Sequence, residues 1–223
     1  MSSFLHVVVA GSALLAGALE AVVASEPAVP PAPEDGGPLV WEVRGIHGYL
    51  NLREMPSVSA PVVSRYAPGT ILSNLGCLRA EGRTWCDVQR LEGGARGYVA
   101  AEYLAPAVSP HGAVVTGPDD SALRAGQGDF DATGEIRCAQ GADGPMSWCG
   151  FGVARHGGGF ATVVVTRPDG RPRALYFSNG VAIGADTSEA DPGEFSASRE
   201  ADQYVIRVGD ERYEVFDAVV FGG

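Results

Sequence analysis

The sequence predicts an all-β protein of two modules, a small five-stranded barrel followed by a second antiparallel β domain. Three observations carry this. Glycine (31) and proline (15) together make 46 of the 223 residues, which suits a turn-rich chain better than a helical bundle. Short alternating apolar stretches are separated by turn signals at intervals of about eight to twelve residues. Four cysteines fall as two local pairs far apart in sequence, Cys77 with Cys86 and Cys138 with Cys149, one pair for each module.

The chain opens with an address. Val7 to Leu19 is apolar or small throughout, too short to span a bilayer comfortably and suited to the apolar region of a secretory signal. Val22-Val23-Ala24 supplies small residues before a cleavage site, so residues 1–24 are read as signal peptide with the mature chain starting at Ser25. No basic residue precedes Arg44, which is unusual for such a signal. The expected location is periplasmic or secreted, with a mature form that does not span a membrane. Residues 25–40 follow as a Pro-rich linker. The run from Pro27 to Pro38 holds five prolines with acids and glycines, and reads as an extended spacer.

Residues 41–105 form the first module. Tyr49 to Arg53 alternates, with Leu50 and Leu52 on one face. Val62 to Tyr66 is a second strand, closed by Pro68-Gly69, and Thr70 to Cys77 a third. Glu81-Gly82-Arg83 turns into a fourth strand, Trp85 to Arg90. Glu92-Gly93-Gly94 turns again into a fifth, Arg96 to Ala100, and Ala101 to Leu104 makes a closing helical turn. Residues 106–132 are an irregular acidic linker. Asp129 to Gln140 matches a calcium-binding loop at its early positions, but position twelve is Gln140 rather than a bidentate glutamate. The stretch is therefore read as a polar turn leading into a strand, with no metal site.

Residues 133–223 form the second module. Gly150 to Arg155 and Phe160 to Arg167 are joined by His156-Gly157-Gly158-Gly159. Pro172 to Ser178, Val181 to Ile183, Phe195 to Arg199, Tyr204 to Val208 and Tyr213 to Phe216 follow. Tyr204, Ile206 and Val208 share one face, as an antiparallel sheet folded over one core requires. Asp217 to Phe221 is a final apolar run expected to dock on that core. In an exported chain the cysteines are expected to be oxidised. Four cysteines allow three connectivities, and their grouping favours Cys77–Cys86 and Cys138–Cys149; neither pair has zinc-site spacing.

The motifs of the first module occur in a telling order. Leu50-Asn51-Leu52-Arg53, Pro56-Ser57, Pro68-Gly69-Thr70, Trp85 with Val88, Gly97-Tyr98-Val99 and Tyr103-Leu104 together resemble a bacterial SH3 domain over about 60 residues. The family usually has Trp where this chain has Tyr98. The resemblance implies an SH3-like barrel and a partner among cell-wall peptides or envelope proteins. Such domains often carry a cysteine pair placed like Cys77 and Cys86, and often stand beside a catalytic domain. The second module is similar to C-terminal domains of exported proteins from GC-rich Gram-negative bacteria, a resemblance that carries no activity.

Strand parity nominates a binding face. Tyr49 and Arg53 point away from Leu50 and Leu52, and Trp85 and Tyr98 away from Val88 and Val99. These four residues are the expected ligand-binding set, as rigid aromatics beside a bidentate guanidinium. The alternative is that Asn51 and Arg53 brace the barrel by hydrogen bonds while Trp85 caps its core.

Charge and motif content narrow the function classes. The chain carries 16 basic and 27 acidic residues, every basic one arginine, so a phosphate-loop lysine and a Schiff-base lysine are both excluded. A pI near 4.7 argues against nucleic acid as partner. His156-Gly157-Gly158-Gly159 resembles a lipase oxyanion segment, but no Gly-x-Ser-x-Gly elbow accompanies it. Glu135, Glu194 and Glu214 are candidates for paired glycosidase acids, yet acids on strand surfaces are ordinarily solvated. The expectation is a non-catalytic, cofactor-free binding or scaffolding protein of the cell envelope. The alternatives are a secreted inhibitor or sensor of a wall-active enzyme, and a hydrolase whose site the sequence does not display.

Overall fold

The structure, a computed structural model, describes residues 28–141, 144–187 and 192–222. The predicted signal and its cleavage site lie outside these residues. The described chain is all-β with two antiparallel sheets, as the composition and turn spacing predict.

The first sheet has seven strands: β1 (Val40–Val43), β2 (Leu50–Arg53), β3 (Val62–Tyr66), β4 (Ile71–Ala80), β5 (Arg83–Arg90), β6 (Gly97–Ala100) and β7 (Leu104–Pro106), in the order β3-β2-β6-β5-β4-β1-β7. The five expected strands are joined by β1 and β7, which pair with each other through Trp41–Pro106, Glu42–Ala105 and Val43–Leu104. Alternation works as read: Leu50, Leu52, Val88 and Val99 are buried with Trp41, Val43, Tyr66 and Leu72 in one core. The β4–β5 hairpin turns at Glu81-Gly82, both at positive φ, the type I′ geometry whose twist suits a two-residue hairpin. The Cys77–Cys86 bridge ties β4 to β5 behind it.

The extended spacer expected over residues 25–40 is corrected for its described part. Pro33–Asp35 form a single 3-10 turn with Pro33 buried. Asn74, buried on β4, donates from Nδ2 to the carbonyls of Pro31 and Pro38 at 3.2 and 2.8 Å. A bulge at Leu75-Gly76, with Gly76 at φ 103°, lets Asn74 Oδ1 accept the Gly76 amide as well. Proline-rich backbone offers carbonyls without amides, and one inward carboxamide satisfies two of them.

The linker expected over residues 106–132 is also more ordered than its composition implied. Val108 and Val114 bridge, and Thr116 bridges back to Pro38. A six-residue helix, α1 (Ser121–Gly126), lies against the second sheet. Asp129 and Asp131 both pair with Arg124, and Asp131 accepts the Arg155 amide at 2.6 Å, so these acids hold α1 to the sheet instead of forming a calcium loop.

The second sheet has eight strands: β8 (Ala132–Ala139), β9 (Ser147–Gly157), β10 (Phe160–Thr166), β11 (Pro172–Ser178), β12 (Val181–Ala185), β13 (Phe195–Glu200), β14 (Gln203–Val208) and β15 (Glu211–Phe216). Their order is β12-β11-β10-β9-β8-β15-β14-β13. Last strand β15 pairs with first strand β8, and edges β12 and β13 approach one another, so the sheet curls into a nearly closed barrel. Ile136, Val153, Val163, Leu175, Phe177, Ile206, Tyr213 and Val215 fill it, with the Cys138–Cys149 bridge among them. The final run is α2 (Asp217–Phe221), and its Val219 and Val220 dock on this core as expected.

The two barrels are docked on each other. Val40 at the start of β1 and Ala107 just after β7 bury Phe160 of β10, only 4% exposed, with Leu39, Ile71, Leu91 and Val115 around them. The β9–β10 hairpin makes this possible. Gly157, Gly158 and Gly159 all have positive φ, and a Cβ on Gly158 would lie 2.2 Å from Val115 Cγ2. The triglycine run is thus a seat for the preceding module, beyond being a turn. His156 closes the contact, its ring nitrogens 3.3 Å from the Thr116 carbonyl and from Asp120 Oδ1.

Candidate functional site

The first barrel has a groove of about 200 Å³ on its outer face, beside β2 and β5. The β2 register sets one wall: Leu50 and Leu52 point into the core, so Asn51 and Arg53 must point out. Tyr49 precedes β2 and is 64% exposed. The β5 strand sets the other wall, with Arg83 and Trp85 two residues apart on one face. Tyr103, in the 3-10 turn after β6, closes the end.

The guanidinium of Arg83 organises this region. It lies 5.6 Å from the Trp85 ring centroid and 5.9 Å from that of Tyr103. It also pairs with Glu102, Nε lying 3.3 Å from Oε2. That hydrogen bond holds the Glu102 carboxyl below the usual carboxylate range and pushes the Arg83 guanidinium up. Arg53 donates from Nη1 to the Ala60 carbonyl at 2.7 Å, pinning the β2–β3 loop. Asn51 accepts from Arg65 Nε at 3.3 Å across the β2–β3 ladder.

The four sequence-nominated residues divide. Tyr49, Arg53 and Trp85 line the groove together. Tyr98 does not: it is half-buried on β6, paired across the sheet with Arg53 and Asp87, and is not part of the groove lining. Trp85 corrects the expectation of an exposed platform, being 2% exposed, so it forms a wall of the groove. Its indole N–H is buried and has no acceptor among the described residues. The bracing alternative holds in part, since Arg53 and Asn51 do make loop and cross-strand hydrogen bonds. Sequence reasoning missed Arg83 and Tyr103. Parity with Trp85 was a usable signal for Arg83; for Tyr103 there was none, because the turn after β6 decides its direction.

The groove combines two guanidinium groups with three aromatic residues in a chain of formal charge −11. Such a surface can offer guanidinium donors to a carboxylate and ring faces to apolar groups. Residues 48–105 match the family model of the bacterial SH3 domain. A search of curated proteins and of solved structures finds no match.

Proposed function

We propose that the whole chain is an exported, non-catalytic binding protein of the bacterial envelope, with the bacterial SH3 domain at residues 48–105 as its module for cell-wall components. Its ligand is a wall stem peptide, held along the groove between Tyr49, Arg53, Arg83 and Tyr103. The observation that carries this is the convergence of Arg53 and Arg83 with aromatic rings on one face of an acidic protein. A stem peptide offers carboxylates to the two guanidinium groups and aliphatic side chains to the rings. Export accords with two bridged cysteine pairs, with the apolar run Val7–Leu19, and with the absence of a membrane-length apolar helix among the described residues.

The non-catalytic reading is supported by what the reactive side chains do. The four cysteines are bridged. His156 faces a carbonyl and a carboxylate at the docking surface, and His111 stacks on Phe221. A carboxylate dyad is not supported by Glu214, which pairs with Arg212 at 2.8 Å.

Co-sedimentation with purified peptidoglycan tests the proposal. Tyr49→Ala removes an exposed ring without touching the core, so it is expected to weaken retention roughly tenfold or more at unchanged melting temperature. Equal retention of the variant and the parent chain, or no retention of either at low salt, overturns it.

A further inference from the structure

The second barrel has a hollow of about 530 Å³, where α2 meets the β11–β12 turn and the loop around His111. It shares no lining residue with the SH3 groove. Rings and planar polar groups line it. His111 stacks face to face on Phe221, centroids 4.6 Å apart and planes 19° from parallel. Phe221 is held by close backbone: a Cβ on Gly180 would lie 2.4 Å from its ring, and one on Gly159 2.7 Å. Also in the lining, the Arg199 guanidinium lies 5.3 Å from the Tyr204 ring centroid and pairs with Asp217. Asn179 adds a carboxamide at the β11–β12 turn.

We propose that this hollow binds a neutral sugar ring. Three features select that class together. The exposed His111 ring, backed by Phe221, offers its outer face to the C–H face of a pyranose. The Arg199 guanidinium and the Asp217 carboxylate each present polar atoms in a plane, which suits pairs of adjacent hydroxyls and supplies both donors and acceptors. Arg199 and Asp217 cancel in charge, so an anionic ligand meets Asp217 and a cationic one meets Arg199, whereas a hydroxyl satisfies both. The hollow also lies beside the contact between the two modules, where small-molecule sites concentrate. This assignment does not depend on what the SH3 groove binds.

The test is a nitrogen-15 NMR titration of the full chain with cellotriose, with N-acetylchitotriose and with inorganic phosphate, each taken to its solubility limit. The expected result is saturable shifts at the Gly180, Ala218 and Gly222 amides with at least one trisaccharide and none with phosphate. His111→Ala alters an exposed loop side chain, and is expected to weaken trisaccharide binding roughly five- to tenfold while lowering the melting temperature by no more than about 5 °C, from the lost stack on Phe221. Asp217→Asn removes the charge balance, so phosphate should then shift the same amides. The proposal is overturned if neither trisaccharide shifts these amides, if the shifts map elsewhere, or if phosphate shifts them in the unaltered chain.

Discussion

Gly158→Ala is the sharpest probe of how the two barrels are joined. Gly158 has φ +58°, in the left-handed region, where an alanine costs roughly 1–2 kcal/mol through its Cβ. Its added methyl would sit 2.2 Å from Val115 Cγ2 and 3.2 Å from Ser109 Cβ, so the 107–116 loop must shift. Overpacking of this kind costs about 1–3 kcal/mol, giving a total of about 2–5 kcal/mol. Val115→Ala alone loses about 1 kcal/mol of partial apolar burial. It also removes the clashing Cγ2, so in the double variant the backbone and burial losses remain, with only the milder 3.2 Å approach to Ser109 Cβ. The cycle should therefore show a favourable coupling of about 1–3 kcal/mol. Urea unfolding followed by tryptophan fluorescence measures all four corners. Gly170→Ala is the control: φ is +81° but nothing lies within 4 Å of its added Cβ, so it should show no coupling to Val115→Ala. Additivity of Gly158→Ala and Val115→Ala within about 0.5 kcal/mol would refute the docked arrangement.

Glu211 accepts hydrogen bonds from Arg167 Nη1 at 2.5 Å, Arg173 Nε at 2.9 Å and the Tyr213 hydroxyl at 2.7 Å. Burial pushes its carboxyl up, but the combined hydrogen bonds from Arg173, Tyr213 and Arg167 outweigh this and hold it below its ordinary value. Its contribution is therefore fully present above the unfolded carboxyl pKa and lost as pH falls through the lower folded value. Glu211→Gln should cost about 3–5 kcal/mol at neutral pH, and the melting temperature of the variant should vary less with pH below about pH 4. An unchanged acid limb would contradict this. Replacing Cys138 and Cys149 together by alanine should lower the stability of the second barrel by about 2.5–3 kcal/mol, from the eleven-residue separation of the bridge. A loss confined to the first barrel in urea unfolding would contradict the pairing. For export, the intact mass of the periplasmic form should correspond to a chain starting at Ser25; a full-length cytoplasmic product is the contrary result.

Local pattern made much of the fold legible. Leu50 and Leu52 alternate with polar neighbours, and the second barrel marks its strands with turns such as Asn179-Gly180. What stayed hidden depends on residues far apart in sequence. Val40–Val43 is a strand because β4 and β7 flank it, and its Pro/Gly-rich approach masked this. The helix Ser121–Gly126 is too short for an apolar stripe, and its Leu123 is 65% exposed. The triglycine run reads as a turn from its own residues, while its docking role needs Val115, 43 positions earlier in the chain. In the candidate site, parity gave the strand face of Trp85 but not its burial, and it grouped Tyr98 with residues that line a groove Tyr98 does not reach.

The central claim is that the SH3 groove, and not the Tyr98 side of the sheet, holds a wall peptide. A soluble stem-peptide fragment titrated into the nitrogen-15-labelled full chain tests it most directly, because the Trp85 indole N–H, buried with no acceptor among the described residues, reports from the groove wall. The account predicts saturable shifts of the Trp85 indole and of the Tyr49, Asn51 and Tyr103 amides, with those of Trp85, Asn51 and Tyr103 reaching saturation only at roughly tenfold or more higher peptide concentration in Tyr49→Ala. Saturable shifts centred on Tyr98, Asp87 and Arg96, with the Trp85 indole unmoved, would contradict it.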